Sequence, residues 1–359
     1  MRIVYVVGTR PNFVKTAPVI AALRERLPDG RHTIVHTGQH YDRLMSDVFL
    51  EQLGVGAPDH MLEVGSGSHA AQTARTMERL EPVLEGERPD LVIVPGDVNS
   101  TLAAALTAVK MSIKVAHVES GLRSFDLTMP EEVNRIVADR FAEYLFLHSD
   151  EAIENLRAEG IADERMHLVG NTMIDTLVAL EDRFRAVGAA AELGVEPGSY
   201  ALVTLHRPAL VDGPLLAATV EQLAGLAESM PVVFPVHPRT RKMMGGVGRE
   251  QPGLMLIEPL GYLDFLSLEA DAGAVLTDSG GIQEETTYLG VPCFTLRSNT
   301  ERPVTVRAGT NTLLGLDPAA IAGIPAALAA RSEAPSEPPP LWDGHAAERI
   351  AEVIAAGDI

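Results

Sequence analysis

The run Thr277-Asp278-Ser279-Gly280-Gly281-Ile282-Gln283-Glu284-Glu285 combines the residue types needed to hold a phosphate beside a sugar. An apolar segment, Ala272–Leu276, precedes it and reads as a buried strand; Ile282–Leu289 reads as a helix stopped by Gly290. A Ser-Gly-Gly turn between strand and helix leaves backbone N–H groups without intrahelical partners, at the positive end of the helix dipole. Gly280 and Gly281 let the backbone approach an anion closely, and Ser279 adds a hydroxyl donor. Glu285, deeper in the helix, would repel a phosphate but suits a sugar diol, which offers it two hydroxyl donors. Ser-Gly-Gly alone is a common capped turn. The trailing Glu-Glu pair, in a chain that repeats this architecture, favours a nucleotide site.

The other reactive side chains also follow strands. Arg10 and Lys15 come after the first, Arg10 in a loop expected over residues 8–12 and Lys15 near the start of the helix that follows. Cations at a helix start oppose its dipole, and an anion there would resolve the conflict. Asp97 and Glu119 each end a strand, while Glu131 and Glu132 open a helix after the next loop. Three carboxylates, Asp97, Glu119 and Glu131, brought to one place would repel, so that at least one holds its proton more tightly. That suits removal and return of a weakly acidic C–H proton. Arg123 and Arg135 are near enough in sequence to moderate the repulsion. Further on, His206-Arg207 and His237 close two strands, and Glu301-Arg302 follows the strand after the Ser-Gly-Gly turn. His beside Arg favours anion binding or proton transfer, and Arg302 suits a carboxylate or phosphate. No group has metal-ligand spacing, and no G-x-G-x-x-G follows the first strand, so neither a metal nor a dinucleotide cofactor is expected.

These residues need a scaffold that gathers strand ends. Strands are expected at Ile3–Val7, Thr33–His36, Leu91–Val94, Ile113–Val118, Tyr144–Leu147 and His167–Val169. The pattern restarts at Ala201–Leu205, Val232–Val236, Leu254–Ile257, Ala274–Leu276 and Cys293–Leu296, with helices between. Fully apolar strands alternating with helices mean parallel sheets covered on both faces. The expected fold is α/β, two Rossmann-like doubly wound domains facing a cleft, with ligands outside the carboxyl ends of the strands. The expected domains are 1–170, carrying the acid/base residues, 171–340, binding the nucleotide, and a terminal helix in 341–359 packing on the first. Gly188–Ser199 reads as a linker, Ala319–Ala330 as one helix and Ser332–Pro340 as a Pro-rich connector.

Composition sets outer bounds. The chain has 359 residues and a formal net charge of −20, which disfavours nucleic acid and anionic membranes as partners. Its single cysteine, Cys293, excludes a disulfide framework or thiolate metal site. The N-terminus lacks a secretory h-region, and no apolar run reaches membrane-spanning length, so a cytoplasmic protein is expected.

In order along the chain, Gly8-Thr9-Arg10-Pro11, Gly38-Gln39-His40, Gly96-Asp97, His117–Arg123, Pro130–Arg135, Gly170-Asn171-Thr172, Thr277–Glu285 and Thr300–Pro303 form one set. The set resembles the non-hydrolysing UDP-N-acetylglucosamine 2-epimerases. The resemblance implies a glycosyltransferase-B-like fold, a homodimer, no cofactor, and a terminal helix crossing back to the first domain. It implies that Arg10, Lys15, Asp97, Glu119, Arg135, His206, Phe265, Ser279, Gly280, Gly281, Glu285 and Arg302 line a UDP-sugar site. It further implies elimination of UDP to a 2-acetamidoglucal, then its re-addition after the proton returns to the opposite face of C2. Asp97, Glu119 and Glu131 are the acid/base candidates, unranked. The Ser-Gly-Gly turn, Arg10 and His206 would steady the departing UDP. Gln39 and His40 are candidates for a second, allosteric substrate site.

Four other functions compete. A 2-epimerase of another UDP-2-acetamido sugar, such as a diacetamido-uronate, would share every nucleotide contact. A UDP-sugar glycosyltransferase would share the fold but needs few carboxylates in the first domain. A nucleotide-sugar sensor needs no acid/base set at all. A hydrolysing epimerase is disfavoured by the absence of a fused kinase domain.

Overall fold

Apolar runs bounded by glycine- and proline-containing loops become the strands, because only a parallel sheet buries such runs on both faces. The computed structural model describes residues 1–38, 50, 52–244, 251–331 and 337–357. Gln39 and His40 lie outside these residues, with most of the helix expected after them and the first part of the 332–340 connector. Two compact units are present: Met1–Val178 together with Pro340–Ile359, and Ala179–Pro339.

The first unit holds a parallel sheet of seven strands. They are β1 (Arg2–Val7), β2 (Arg31–His36), β3 (His60–Met61), β4 (Leu91–Pro95), β5 (Lys114–Val118), β6 (Tyr144–Leu147) and β7 (Met166–Leu168), in the order β3-β2-β1-β4-β5-β6-β7. Val4 of β1 pairs with Thr33 on one side and Val92 on the other. Val4, Val6, Val92, Val94 and Val115 share a core with Ala104, Ala105 and Ala108 of the helix Asn99–Lys110. The terminal helix Ala346–Ala356 packs on the helix Arg10–Arg26 of this unit. Asp175 caps it, accepting from Ala346 N at 3.1 Å and Ala347 N at 2.6 Å. Trp342, buried, donates its indole N–H to the His148 carbonyl at 2.9 Å.

The second unit repeats the plan with six strands. They are β8 (Ala201–Thr204), β9 (Val232–Pro235), β10 (Leu254–Ile257), β11 (Ala274–Thr277), β12 (Cys293–Thr295) and β13 (Asn311–Leu313), ordered β10-β9-β8-β11-β12-β13. Strand order reverses between β1 and β4 in the first sheet and between β8 and β11 in the second. At such a reversal the flanking helices leave to opposite faces and open a crevice at the carboxyl ends.

Three expectations give way. Residues 188–199 are not a linker: they contain the helix Ala189–Leu193, and Ala189, Ala190 and Val195 are buried in the second unit's core. Ala319–Ala330 is not one helix. A 3₁₀ segment, Pro318–Gly323, precedes a short α-helix, Ile324–Ala329, because Pro325 has no N–H to continue the ladder. The expected loop over residues 8–12 is already helical from Arg10.

Candidate active site

In the first unit the reversal places the ends of β1 and β4 side by side, and Asn12 ties them together. Its Oδ1 accepts from Gly8 N at 3.1 Å and Thr9 N at 3.2 Å, and its Nδ2 donates to the Pro95 carbonyl at 3.2 Å. Beyond Pro95 the chain turns through Gly96 in a left-handed conformation, φ 62°. A Cβ there would lie 3.4 Å from Lys15 Nζ, so the lysine closes directly over the turn. The turn is pinned on three sides. Gly96 N donates to the Val118 carbonyl at 2.9 Å, the Gly96 carbonyl meets His117 Nε2 at 2.6 Å, and Asn134 donates to the Asp97 carbonyl at 2.8 Å. Asp97 therefore stands on a rigid base, with Arg135 Nη2 2.5 Å from its Oδ2.

Glu119, immediately after β5, is 7% exposed and sits at φ 66°, in the left-handed region. For a residue with a Cβ this costs about 1–3 kcal/mol, and such outliers collect at functional sites. Its carboxylate meets Lys15 Nζ at 2.5 Å. The anion that resolves the dipole conflict at Lys15 is thus supplied by the protein itself. Arg10, one turn earlier on the same helix, is exposed.

Glu131 is half-buried in the first turn of the helix Pro130–Phe141. Its neighbour Glu132 is buried, and accepts from Ser124 N and Phe125 N besides facing Arg135. The two arginines expected among the carboxylates divide. Arg135 does bridge Asp97 and Glu132, but Arg123 turns away to Asp139 at 2.7 Å and Glu159 at 2.6 Å. Burial pushes the Asp139 carboxyl upward, and the opposing pull of His117 and Arg123 holds it below the usual range. That buried cluster braces β5 rather than meeting the reactive groups.

In the second unit Asp278 does at the reversal what Asn12 does in the first. Wholly buried, it accepts from His206 N at 3.0 Å and Arg207 N at 2.7 Å, joining the end of β11 to the end of β8. Burial raises its carboxyl, but the hydrogen bonds from His206 and Arg207 prevail and hold it low. The His206 ring, with its side chain 60% exposed, sets Nδ1 2.9 Å from Asp278 Oδ1, which leaves Nε2 for a ligand. Next to Asp278, Ser279 is the N-cap of the helix Gly280–Leu289, and its side chain makes no cap hydrogen bond to that helix.

Arg302 lies across this helix tip: a Cβ on Gly280 would fall 2.4 Å from its Nη1. The guanidinium is buried and paired with Glu284 at 2.9 Å and Glu301 at 2.5 Å. Its carboxylate partners are therefore two of the chain's own. Glu285, also buried, accepts from the Tyr262 hydroxyl at 3.0 Å. Tyr262 and Phe265 lie on one helix, Tyr262–Ala270, and Phe265 packs half-buried against the core. Farther along it, Glu269 is fully buried; burial first, and the charge of Glu285 second, push its carboxyl well up.

Asn12 had carried no expectation of its own, Asp278 had been read only as part of the Thr277–Glu285 run, and Glu132 only as a carboxylate at a helix start. Each is a short polar residue next to a strand end or a helix start, where it bonds backbone N–H groups. That local signal existed; the partner strand did not show in it. Among the described residues no three His, Cys, Asp or Glu side chains converge as a metal site, and no helix is long and apolar enough to cross a membrane.

The match to known proteins covers almost the whole chain. The family model described as UDP-N-acetylglucosamine 2-epimerase matches residues 22–355. A Methanocaldococcus jannaschii protein named UDP-N-acetylglucosamine 2-epimerase is 40% identical over 368 residues, covering 99% of this chain and 100% of that one. A Pseudomonas aeruginosa protein named UDP-2,3-diacetamido-2,3-dideoxy-D-glucuronate 2-epimerase is 41% identical over 320 residues, 88% of each chain. The crystal structure of Methanocaldococcus jannaschii UDP-GlcNAc 2-epimerase in complex with UDP-GlcNAc and UDP is similar with a TM-score of 0.90. It is 38% identical and is matched over 99% of this chain and 100% of that one.

Proposed function

The chain belongs to the UDP-N-acetylglucosamine 2-epimerase family, and on that footing we propose that it interconverts UDP-N-acetylglucosamine and UDP-N-acetylmannosamine by elimination and re-addition of UDP. It is an enzyme of the isomerase class with the glycosyltransferase-B-like fold of its structural neighbours. The observation that carries the mechanism is the pair of carboxylates at the ends of β4 and β5. Asp97 is braced on a pinned turn, and Glu119 is held in left-handed backbone against Lys15.

The steps follow from charge. A carboxylate removes the C2 proton as the C1–O bond to UDP breaks; the electron pair of the C–H bond becomes the C1–C2 double bond of 2-acetamidoglucal. A protonated carboxyl returns a proton to the opposite face of C2 while a phosphate oxygen of UDP re-forms the C1–O bond. Asp97, Glu119 and Glu131 are the groups proposed for these two transfers. No electrons are gained or lost overall, so the reaction needs no redox cofactor.

The second unit takes the UDP. The N–H groups of Gly280 and Gly281 and the Ser279 hydroxyl, backed by the helix dipole, face the phosphates, with His206 Nε2 beside them; the Ser279 N–H itself is donated to Thr277 Oγ1. Losing one such donor costs about 3 kcal/mol of barrier lowering. Glu285 accepts from a ribose diol, and Phe265 lies on the same helix as Tyr262, its hydrogen-bond partner. Arg302 acts on the anion through the helix tip it covers, and Arg10 adds charge in the first unit. The reading includes a homodimer in the cytoplasm, and light scattering of the purified protein tests the dimer.

One assay decides. The protein is incubated with UDP-N-acetylglucosamine in D2O and C2 is followed by NMR. Deuterium at C2 together with UDP-N-acetylmannosamine is the expected result. Free N-acetylmannosamine with UDP means hydrolysis, and no exchange overturns the reading for this sugar. A second reading, epimerisation of a UDP-diacetamido-uronate, is favoured by the Pseudomonas aeruginosa relative, 41% identical over 88% of this chain. The same assay with that sugar separates the two.

A further inference from the structure

Glu132 has no part in the chemistry proposed above, yet it is 1% exposed and satisfied on both oxygens. Its Oε2 accepts from Ser124 N and Ser124 Oγ, both at 2.9 Å, and lies 2.6 Å from Arg135 Nη1. Its Oε1 accepts from Phe125 N at 2.8 Å. The other arm of the same guanidinium, Arg135 Nη2, reaches Asp97 Oδ2 at 2.5 Å. A guanidinium is planar, with its donors in a rigid fork, so one arm cannot turn without the other. Whatever holds Nη1 therefore sets the direction from which Nη2 approaches Asp97.

The loop on the far side of Glu132 is held just as firmly. Phe125 sits at φ 58°, a conformation that side-chain-bearing residues avoid. Ser124 and Phe125 both donate their N–H to Glu132, and the Ser124 hydroxyl donates with them. From this loop Phe125 and Leu127 project, 80% and 70% exposed. The loop begins a few residues after Glu119, on the carboxyl side of the sheet where the reactive groups stand.

We propose that Glu132 is a positioning residue that joins this loop to Asp97 through Arg135, so that the direction of the acid/base carboxylate and the place of the Phe125–Leu127 loop are set together. The inference rests on the reading of Asp97 as an acid/base group. Glutamine at this position has one acceptor oxygen. Its NH2 must face either the Phe125 N–H or the Ser124 and Arg135 donors, so one side of the link opens.

The test compares wild type, Glu132→Gln, Arg135→Lys and the double variant in steady-state epimerisation and C2 deuterium exchange. Thermal melts and calorimetric UDP titrations accompany them. A misdirected catalytic group lowers kcat by about ten- to a hundredfold with KM within about threefold. Both single variants should behave so, and Glu132→Gln should leave UDP affinity unchanged. Because the two residues act in series, the double variant should be no slower than the slower single. A folded Glu132→Gln protein with wild-type kcat, or losses that multiply in the double variant, overturns the inference. If Glu132→Gln does not fold, Arg135→Lys decides alone: lysine keeps the charge without the second arm, and an unchanged kcat is the overturning result. Absence of exchange in the wild type would instead refute the epimerase reading.

Discussion

Replacing Lys15 with methionine tests the reactive centre of the first unit most sharply. Lys15 and Glu119 are each 7% exposed, and their charged atoms are 2.5 Å apart. Methionine keeps the length of the side chain and removes only the ammonium. Glu119 is then a buried carboxylate with its cation gone, in a backbone conformation that already costs free energy. Breaking a buried pair from one side destabilises by about 3–5 kcal/mol. At about 2–4 °C per kcal/mol for units of this size, the melting temperature should fall by about 10 °C. The double variant Lys15→Met/Glu119→Gln removes both charges and should recover most of the loss. Neither protein should exchange the C2 proton, since one leaves the Glu119 carboxylate without its cation and the other lacks that carboxylate. The assay is a thermal melt of the two single variants, the double variant and wild type, with D2O exchange beside it. A melting temperature for Lys15→Met within about 2 °C of wild type would refute the reasoning. So would a double variant whose loss equals the sum of the singles.

Asp97→Asn should keep UDP binding by calorimetry and lose about two to four decades of C2 exchange; unchanged turnover removes Asp97 from the acid/base set. Gly280→Ala places a Cβ 2.4 Å from Arg302 Nη1, whose guanidinium cannot retreat without leaving Glu284 and Glu301. It should destabilise by about 1–3 kcal/mol and weaken UDP binding, and a crystal structure with Arg302 undisturbed would contradict this. Burial raises Asp175 from 3.8 to about 6, against the hydrogen bonds from Ala347 and Ala346. A carboxyl raised on folding binds its proton more tightly in the native state, so its contribution is full at low pH and is lost as pH rises through about 6. At about 1.4 kcal/mol per pKa unit, the stability difference between wild type and Asp175→Asn should change by about 2 kcal/mol between pH 4 and 7. A difference that stays flat with pH in denaturant titrations counts against it.

The cores of both sheets, and the strand ends that carry the candidate residues, were legible in the chain. Strands such as Leu91–Pro95 are apolar throughout because both faces are covered, and that pattern survives in one dimension. The reactive groups follow strand ends because the loops there are free of the ladder. Strands β3 and β13, of two and three residues, were missed: such pieces carry no period and exist only through their neighbours. The short helix Ala189–Leu193 was read as linker for the same reason; its alanines look like spacer until a core closes over them.

Residue types and their order along the chain thus determined the fold class and which side chains could react. Only the tertiary structure decided which charge faces which. Lys15 answers Glu119 from the helix Arg10–Arg26, Arg302 answers Glu284 and Glu301 within its own unit, and Arg123 leaves the candidate carboxylates for Asp139. Adjacent Glu131 and Glu132 differ in burial and partners although the sequence makes them look alike, because one step along a helix turns a side chain by about 100°. Coulomb energy depends on distance through space, and distance along the chain does not predict it once the sheet has closed.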